Sequence, residues 1–399
     1  MRLYLTTLNP TDSVIDGFLP AAARLGWDVT ILTDQPARYG EHADDVIETD
    51  VRDATAVIDT IAGHHAPDVI FSNSDHLQAA TALAAAYFGL PGKDWRACLS
   101  AKNKALTRRA LAAAGVETVR SARLRPHTPP PDGLPYPVVV KPREGVASED
   151  VVLCHDKAEL IRVASAIWAR RPGDTLVAEE YLQGPLRTLE TLGDDRVTRV
   201  IGGFRTGLGP PPYFVEERLD WDPPRDAAHV LRALDALGVG LGACHTEYVV
   251  TGEGPRIIEV NYRVIGDNCD FLLADVLGVP LHEWILRVHA GEPAPSPVPS
   301  PRYGTAVSVI AAQEGVVRQA PPPVAPATDD TANPARPAEP GFAGEVRLWH
   351  RPLRSVGDQI TVTNTNRDYL GVIRAVGPDR AAVEAEISRF RRAHPWVIR

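Results

Sequence analysis

Cysteine is scarce in this sequence, and its few copies lie far apart. Only four of the 399 residues are cysteine, at Cys98, Cys154, Cys244 and Cys269. No two of them form a C-x-x-C pair, and none stands beside histidines at zinc-finger spacing, which argues against a structural zinc site. In a chain of this length such cysteines are typical of reduced, buried apolar residues, so we expect a cytoplasmic protein.

The sequence also lacks long apolar runs and basic segments. No stretch of about 18 apolar residues occurs, and the first segment, MRLYLTTLNPTD, becomes polar too early for a signal peptide. The 42 Lys and Arg residues are outnumbered by 51 Asp and Glu residues, which gives a net charge of −9 without a basic tail. We therefore expect neither a membrane span nor a nucleic-acid partner, and we favour small-molecule ligands.

Proline, by contrast, is abundant and unevenly placed. Much of the total of 36 lies in three patches, at 126–137, 291–302 and 320–340. The remaining composition, 44% hydrophobic and 23% charged, is that of a folded globular protein. We interpret the patches as stiff connectors and one surface loop between two or three subdomains.

Strands and helices alternate along the first hundred residues. Apolar strand patterns at 2–7, 28–33 and 67–73 are separated by helical spacing at 14–25 and 53–63. Such alternation is typical of a parallel sheet with crossover helices. The sequence therefore predicts an open α/β domain at its N-terminal end.

The next part of the chain predicts a basic helix and then a smaller α+β unit. The helix is predicted over 100–115, in SAKNKALTRRALAAAG, with a glycine stop. Strands at 137–143, 151–156 and 175–182 and a helix at 157–170 follow. Beyond them we expect several strands with one helix near 225–237, and a terminal β/β/α pattern at 346–399.

Lys141 stands at the end of the apolar strand VVV, before a turn that contains Gly145 and Ser148. A lysine at a strand end, followed by a turn and a return strand, can present an ammonium and backbone N–H groups to phosphate oxygens. The alternative is simple turn chemistry, which explains a glycine and a serine equally well.

A second polar group lies in HTEYVVTGEGPRIIEVNYRVIG, residues 245–266. Alternation predicts a hairpin that brings Glu247 opposite Glu259 and Asn261, and the last two leave the same face of their strand. Three such oxygen ligands suit Mg²⁺, and Arg263 on the same face can hold a developing anion. The alternative is a solvated strand face with a salt bridge, although the apolar residues opposite favour burial.

The substrate candidates have weaker support. Ser74 and Asp75, with His76, follow an N-terminal strand at the edge where open α/β sheets bind ligands. Asp267 and Asn268 follow the turn after Arg263, and Arg205 lies in GGFRTG on a predicted strand. Turn and capping roles explain most of these residues as well. We expect His245 to be a hydrogen-bonded strand histidine and not a base.

Taken in order, these motifs resemble the ATP-grasp superfamily. The pattern is a lysine on a helix, a K-P strand end with a small-residue loop, an E-E-Y-L hinge, and an acid followed by E-x-N-x-R. It is carried here by Lys104, by Lys141, by EEYLQG at 179–184, and by Glu247 with EVNYR at 259–263. The resemblance covers roughly residues 100–290.

The resemblance implies an α/β fold of ATP-grasp architecture, with an N-terminal open parallel-sheet domain, an α+β nucleotide-binding part with a small lid subdomain, and a C-terminal β/α lobe. The boundaries we predict are 1–99 for the N-terminal domain, 100–182 for the helix and lid subdomain, 183–290 for the catalytic lobe, and 291–399 for the C-terminal part with a proline-rich loop at 320–340.

The resemblance also implies a role for each matching residue. Lys104 and Lys141 would contact the phosphates of ATP, beneath a lid loop from Glu144 to Ser148. Arg263, with Lys141, would act on the reacting phosphoryl group. One or two Mg²⁺, for which Mn²⁺ can substitute, would be held by Glu247, Glu259 and Asn261. The adenine-binding hinge would comprise Glu179, Glu180, Tyr181 and Leu182. The Glu180 carbonyl and the Leu182 amide would hydrogen-bond the edge of the adenine.

One position departs from the family pattern. Where many relatives have an acid that grips the ribose, this chain has Leu186 followed by Arg187. The ribose contact is therefore left unassigned, with Glu190 as the candidate. The lid loop is also poor in glycine.

The activity implied is an ADP-forming ligation of a carboxylate to an amine through an acyl phosphate. The loop and E-V-N-x-R motifs resemble the amino-acid ligases, and the N-terminal segment resembles, more loosely, ligases of siderophore pathways. The alternatives are a non-catalytic nucleotide-binding protein and a phosphotransferase of the same fold. The expected partners are a small carboxylate and a small amine, and the family resemblance also implies a homodimer.

Overall fold

The computed structural model describes residues 1–40, 42–43, 45–223, 226–297, 300–324 and 345–399. Most of the predicted proline-rich loop at 320–340 lies outside these ranges. Within them the molecule is a mixed α/β protein with four sheets, and no helix is both long and apolar enough to cross a membrane. All four cysteines are buried and free, as predicted.

The N-terminal domain contains a four-stranded parallel sheet, which confirms the prediction from the strand–helix alternation. Its strands are β1 (Arg2–Thr6), β2 (Asp28–Thr33), β3 (Val46–Glu48) and β4 (Val69–Phe71), in the order β3–β2–β1–β4. Its helical segments are a π-helical turn (Ser13–Phe18), α1 (Leu19–Arg24), a 3-10 turn (Pro36–Arg38), α2 (Ala54–Ala62) and α3 (Gln78–Tyr87). Because the strands are parallel, their carboxyl ends share one edge, and Asp75 follows β4 there.

The helix predicted over 100–115 is divided in two. Helix α4 (Trp95–Lys102) ends at Asn103, and α5 (Lys104–Ala113) begins directly after it. Asn103 has extended backbone angles, and its side chain accepts hydrogen bonds from the N–H groups of Ala105 and Leu106. This capping interaction ends one helix and starts the next, and it places Lys104 in the first turn of α5.

The lid subdomain is a four-stranded antiparallel sheet with one helix. Its elements are β5 (Ser121–Leu124), β6 (Val138–Pro142), β7 (Val152–Cys154), α6 (Lys157–Arg170) and β8 (Leu176–Glu180). The strand order is β5–β8–β6–β7, so β6, which carries Lys141, lies between β7 and β8. Asp156 caps α6 by accepting a hydrogen bond from the Glu159 N–H.

The largest sheet has nine strands and unites the predicted catalytic lobe with the C-terminal part. The strands from the lobe are β9 (Leu186–Gly193), β10 (Thr198–Gly202), β11 (Phe204–Leu208), β12 (Glu216–Trp221), β13 (Gly242–Thr251) and β14 (Gly254–Asn261); those from the C-terminal part are β15 (Tyr303–Ile310), β17 (Arg347–Pro352) and β19 (Tyr369–Gly377). The order is β14–β13–β9–β11–β12–β15–β19–β17, with β10 beside β9. Segments 183–290 and 291–399 therefore share one sheet.

The remaining elements cover this sheet. A small sheet is formed by β16 (Gly315–Gln319), β18 (Gln359–Ile360) and β20 (Val397–Ile398). The remaining helices are α7 (Ala227–Leu237), α8 (Cys269–Leu277), α9 (Leu281–His289), a 3-10 turn (Asn366–Asp368) and α10 (Arg380–Ala393). One apolar core contains Phe18 and Phe71 of the N-terminal domain together with Leu272 and Leu286 of α8 and α9. This shared core fixes the N-terminal domain against the large sheet.

Candidate functional site

A cavity of about 260 Å³ lies between the lid sheet and the nine-stranded sheet. Its lining comes from the lid loop, from the segment after β8, from the β13–β14 hairpin and from C-terminal strands β15 and β19. The predicted residues that line it are Asp75, Lys104, Lys141, Ser148, Glu179, Glu180, Tyr181, Leu182, Glu247, Glu259, Asn261, Arg263 and Asp267. Those that do not are Ser74, Glu190, Arg205 and Asn268.

Lys141 is buried at the end of β6 and forms an ion pair with Glu179. Its Nζ lies 2.7 Å from Glu179 Oε2, and Arg108 donates to both oxygens of the same carboxylate at 2.9 and 3.0 Å. Burial lowers the pKa of Lys141, and the charge of Glu179 partly offsets this. Burial would raise the pKa of Glu179, but Arg108 and Lys141 outweigh it and hold that pKa well below its ordinary value. Glu179 is therefore ionised at neutral pH.

This ion-pair network gives Glu179 contacts that the sequence did not predict. We expected Glu179 in the adenine-binding hinge, but its carboxylate is fully engaged with Arg108 and Lys141. Arg108 also lies 3.2 Å from Glu117 Oε1, and neither partner was predicted from the sequence. The sequence offered one indication that Arg108 lies near the site: it follows Lys104 by four residues and therefore shares its face of α5.

Lys104 reaches the metal-site candidates from the other side of the cavity. Its Nζ donates to Glu259 Oε1 at 2.6 Å, and the Lys104 side chain is only 8% exposed. Lys104 and Lys141 both line the same cavity. Two ammonium groups that face one cavity can neutralise the oxygens of a polyphosphate.

In the β13–β14 hairpin a β-bulge between Glu247 and Tyr248 shifts the register by one residue. Glu247 lies opposite Glu259, and His245 lies opposite Asn261. Within the described residues, no three His, Cys, Asp or Glu side chains converge on a metal position. A cation here would therefore bind two carboxylates, the Asn261 amide oxygen and oxygens of a bound phosphate. That donor set fits Mg²⁺, which usually takes one or two carboxylates and completes its shell with phosphate and water.

His245 is hydrogen bonded on both ring nitrogens, as expected for a strand histidine. Nδ1 lies 2.8 Å from Glu190 Oε1, and Nε2 lies 3.4 Å from Glu247 Oε1. Burial would lower the pKa of His245, but Glu190 and Glu247 outweigh it and raise the pKa to about 10. Burial would raise the pKa of Glu247, but the hydrogen bond from His245 and the lysine charges hold it below its ordinary value. The imidazolium therefore orients Glu247 toward the cavity.

The same contact corrects the prediction that Glu190 holds the ribose. Glu190 is 1% exposed, and its carboxylate accepts the hydrogen bond from His245. Its strand neighbour across the sheet is His245 itself, so the carboxylate lies beneath the metal-site candidates. Leu186, at the position where relatives have an acid, does line the cavity.

Arg263 and Asp75 connect the N-terminal domain to the site. Arg263 Nη2 lies 2.8 Å from Asp75 Oδ2. Burial would raise the pKa of Asp75, but the charge of Arg263 outweighs it and lowers that pKa. Asp75 therefore orients a guanidinium that lines the cavity. Ser74, predicted beside it, lies outside the lining, where its backbone N–H donates to Ser72 Oγ.

The hinge segment after β8 is mainly apolar toward the cavity. Tyr181 and Leu182 line it, and the Tyr181 ring lies 6.3 Å from that of Phe214. The Glu180 carboxylate is directed away, since it accepts hydrogen bonds from Arg120 Nε at 2.9 Å and from the Arg120 N–H at 2.8 Å. Further apolar lining comes from Val139, Leu186, Val249 and Ile258. This surface can take a flat ring such as adenine.

The lid loop is held against the C-terminal part. The Asn366 N–H donates to the Ala147 carbonyl at 3.1 Å, and Glu149 forms an ion pair with Arg367. Ala147 and Ser148 both have positive φ values, 57° and 52°. The loop therefore covers the cavity in a specific conformation, without the glycines that usually allow positive φ.

Two substrate candidates lie outside the lining of the cavity because of local geometry. Arg205 is exposed, whereas its neighbour Thr206 lines the cavity, since successive residues of a strand face opposite sides. Asn268 donates to Asp12 Oδ2 at 3.0 Å and lies outside the lining. Neither residue lines the cavity, and their roles in substrate binding stay predictions.

The sequence did not reveal that Glu216, Asn366 and Tyr369 contribute to the wall of the cavity. All three line the cavity, although their chain positions lie outside every motif. Tyr369 O–H donates to the Glu216 carbonyl at 2.7 Å, and Asn366 Oδ1 accepts from the Glu216 N–H at 3.0 Å. Only the pairing of β12 with β15, and of β15 with β19, brings them together.

The chain is similar to several known proteins. No family model matches the chain. Over its whole length the chain is 30% identical to the uncharacterized protein y4rH of Sinorhizobium fredii (strain NGR234), covering 84% of that protein. Across 36% of the chain it is 26% identical to dapdiamide A synthase of Enterobacter agglomerans, covering 37% of that protein.

Two solved structures share the fold. The L-amino acid ligase from Bacillus licheniformis superposes with a TM-score of 0.79 at 20% identity, covering 100% of this chain and 98% of that one. The biotin carboxylase domain of the Hydrogenobacter thermophilus 2-oxoglutarate carboxylase, in complex with MgADP and bicarbonate, gives 0.70 at 17% identity, covering 100% and 90%. The chain has the ATP-grasp fold of these two proteins.

Proposed function

We propose that this protein is an ATP-dependent, ADP-forming ligase that joins a carboxylate to an amine through an acyl phosphate. The observation that carries the proposal is the convergence, in one cavity, of two lysines, the two facing glutamates of a hairpin and an arginine oriented by the N-terminal domain. Such a set neutralises the charge of phosphate groups.

The proposed reaction has two steps. A carboxylate oxygen of the acid substrate attacks the γ-phosphorus of ATP, the bond from phosphorus to the β,γ-bridging oxygen breaks, and ADP leaves. The amine nitrogen then attacks the acyl carbon and loses a proton, and inorganic phosphate departs. Lys104, Lys141 and Arg263 balance the charge on the oxygens that change partners.

Other residues bind and enclose the reactants. Bound Mg²⁺, held by Glu247, Glu259 and Asn261, would supply charge neutralisation between the phosphates, and Mn²⁺ can take the same donors. The apolar surface around Tyr181 and Leu182 would take adenine. The lid loop, with Ser148, excludes water from the acyl phosphate, which water would otherwise hydrolyse.

The proposal is tested with ATP, MgCl₂, pooled amino acids and hydroxylamine. We expect ADP release and an acyl hydroxamate, identified by mass spectrometry. Glu259→Gln should lower turnover at least 100-fold with an unchanged fold. The matched control is Glu253→Gln, in the same hairpin with a side chain 87% exposed, which should retain turnover. Absence of ADP release with every carboxylate tried would refute the ligase function.

The narrower predictions depend on this function. We place the protein in the cytoplasm, where ATP is available and where its four free cysteines remain reduced. A biosynthetic pathway for amide-linked small molecules, siderophores among them, fits the chemistry. The homodimer stays a prediction.

A further inference from the structure

Lys93 is a buried lysine that the mechanism above does not use. It lies between α3 and α4 and is 8% exposed, and its Nζ donates to the Tyr262 carbonyl at 2.6 Å and to Gln78 Oε1 at 2.7 Å. Both of these acceptors are neutral. Burial lowers the pKa of Lys93 to about 8, so the ammonium is still protonated at pH 7. Burying a charge on neutral partners costs free energy, so this lysine needs a reason beyond filling space.

The Tyr262 carbonyl belongs to the peptide unit from which Arg263 extends. The Arg263 N–H in turn donates to the Asn261 carbonyl at 2.7 Å, so the chain is tightly folded at the end of β14. The Tyr262 side chain is held separately, since its hydroxyl donates to the Leu241 carbonyl at 2.8 Å. Lys93 therefore fixes the backbone at the point where the guanidinium of the site leaves it.

The Gln78 end of the network reaches the ion-pair partner of Arg263. Gln78 is 6% exposed, and its Nε2 donates to the carbonyls of Ser72 and Ser74 at 3.0 and 2.9 Å. These carbonyls lie in the segment between β4 and Asp75. Because the buried ammonium occupies Oε1, the amide is oriented with both of its N–H groups on this segment. The same ammonium therefore supports both members of the ion pair.

We propose that Lys93 is a positioning residue for the ligase reaction, which acts by fixing Arg263 and Asp75 relative to each other. It does so through the Tyr262 carbonyl on one side and through Gln78 on the other. The proposal rests on the proposed function and adds to it a residue that lies outside the cavity lining. An apolar side chain could not replace the ammonium, because both buried acceptors would then lack a donor.

Lys93→Met tests the proposal, because methionine is unbranched and of similar length but cannot donate a hydrogen bond. The assay is ADP release with hydroxylamine, and it separates kcat from the KM of ATP. We expect kcat to fall about 20-fold and the KM of ATP to stay within about twofold, because Arg263 acts on the reacting phosphoryl group while Lys104 and Lys141 hold the nucleotide. Gln78→Met breaks one half of the network and should lower kcat about fivefold.

A second background separates positioning from a general loss of stability. In Asp75→Ala the ion pair with Arg263 is already broken, so adding Lys93→Met should lower kcat by less than about threefold. A role in stability alone would lower the rate by the same factor in both backgrounds and would overturn the proposal. A kcat of Lys93→Met within about twofold of the wild-type value would overturn it as well.

Thr81→Val is the matched control. Thr81 lies one turn after Gln78 on α3, is 6% exposed, and has its hydroxyl 2.7 Å from that of Thr6. The substitution keeps the shape and removes a buried hydrogen bond that does not reach Arg263 or Asp75. It should lower the midpoint of urea unfolding and leave kcat within about twofold.

Hydrogen exchange of the nucleotide-free, full-length protein provides a readout that needs no turnover. Followed by mass spectrometry, the backbone N–H groups of 262–266 should exchange about tenfold faster in Lys93→Met than in the wild-type protein, and those of 249–257 at an unchanged rate. Unchanged exchange at 262–266 would overturn the proposal. Faster exchange there, in a protein that releases no ADP with any carboxylate, would refute the ligase function and leave the coupling of Lys93 to Arg263 intact.

Discussion

Lys104 Nζ donates to Glu259 Oε1 at 2.6 Å, although 155 residues separate the two in the chain. The contact joins the first turn of α5 to the edge strand β14. A bound metal and phosphates would redistribute it, since Mg²⁺ would compete for the carboxylate and the phosphates for the ammonium. In the nucleotide-free protein, the ion pair holds both side chains in place.

Replacing Lys104 tests this relationship. Lys104→Met should lower kcat/KM for ATP by roughly 100-fold, about 2.7 kcal/mol of transition-state stabilisation, because a phosphate loses its cation. The measurement is steady-state ADP release at saturating substrate acid and amine. Lys157→Met, at a surface lysine 47% exposed, is the control and should stay within twofold. A loss below threefold at Lys104 would contradict its assignment.

The buried network around Glu179 should be important for stability. Glu179→Gln leaves Lys141 buried without a carboxylate and Arg108 with Glu117 alone, and we expect the free energy of unfolding to fall by about 3–5 kcal/mol. Glu180→Gln breaks only the pair with Arg120, whose side chain is 67% exposed, and should cost less than about 1 kcal/mol. Urea denaturation at pH 7 measures both. Equal losses in the two variants would show that the network is not stabilising.

His245 predicts a pH dependence with a definite sign. Its pKa is about 10 in the folded protein, against roughly 6.5 when unfolded. Because the folded pKa is raised, the stabilisation is full below pH 6.5 and is lost as the pH rises toward 10. The free energy of unfolding of the wild-type protein should therefore fall more steeply across this window than that of His245→Gln. Urea unfolding at pH 6, 8 and 9.5 compares them, and parallel curves would show that His245 is not protonated.

Replacing Arg205 is predicted to leave the activity unchanged. Its side chain is exposed on the face of β11 opposite the cavity, so Arg205→Ala should leave kcat and KM within twofold of the wild-type values. Arg263→Ala, measured in parallel, should abolish amide formation. A tenfold rise in the KM of the acid substrate in Arg205→Ala would restore the original assignment of that residue as a carboxylate ligand.

The local parts of the site follow from sequence periodicity. Glu259 and Asn261 share a face because side chains alternate along a strand, and the glycines near 252–254 predict the turn of the hairpin. The pairing of Glu247 with Glu259 also needs the β-bulge beside Glu247, which the sequence pattern did not predict. The helix at 157–170 was predicted within its observed bounds for a similar reason. The break at Asn103 was not predicted, because the alanine-rich sequence around it favours helix and a single capping side chain outweighed that preference.

The pairings of Glu179 and Glu190 were missed for a different reason. Glu179 and Glu190 both carry carboxylates near the expected nucleotide, and only the distances to Arg108 and His245 show that each is already engaged. Ion pairs depend on positions in space and on burial, neither of which is local in the chain.

The sequence by itself determined the residue types, the strand and helix periods, and the order of motifs that indicates a nucleotide-dependent ligase. The tertiary structure decided which charges pair with one another and which are left for a ligand. It also decided that strands β15 and β19, beyond every motif, join the catalytic sheet and hold Glu216 in the cavity. The physical reason is that a local sequence pattern determines from which face of a strand or helix a side chain projects. The order of the strands and burial determine which other side chains it contacts.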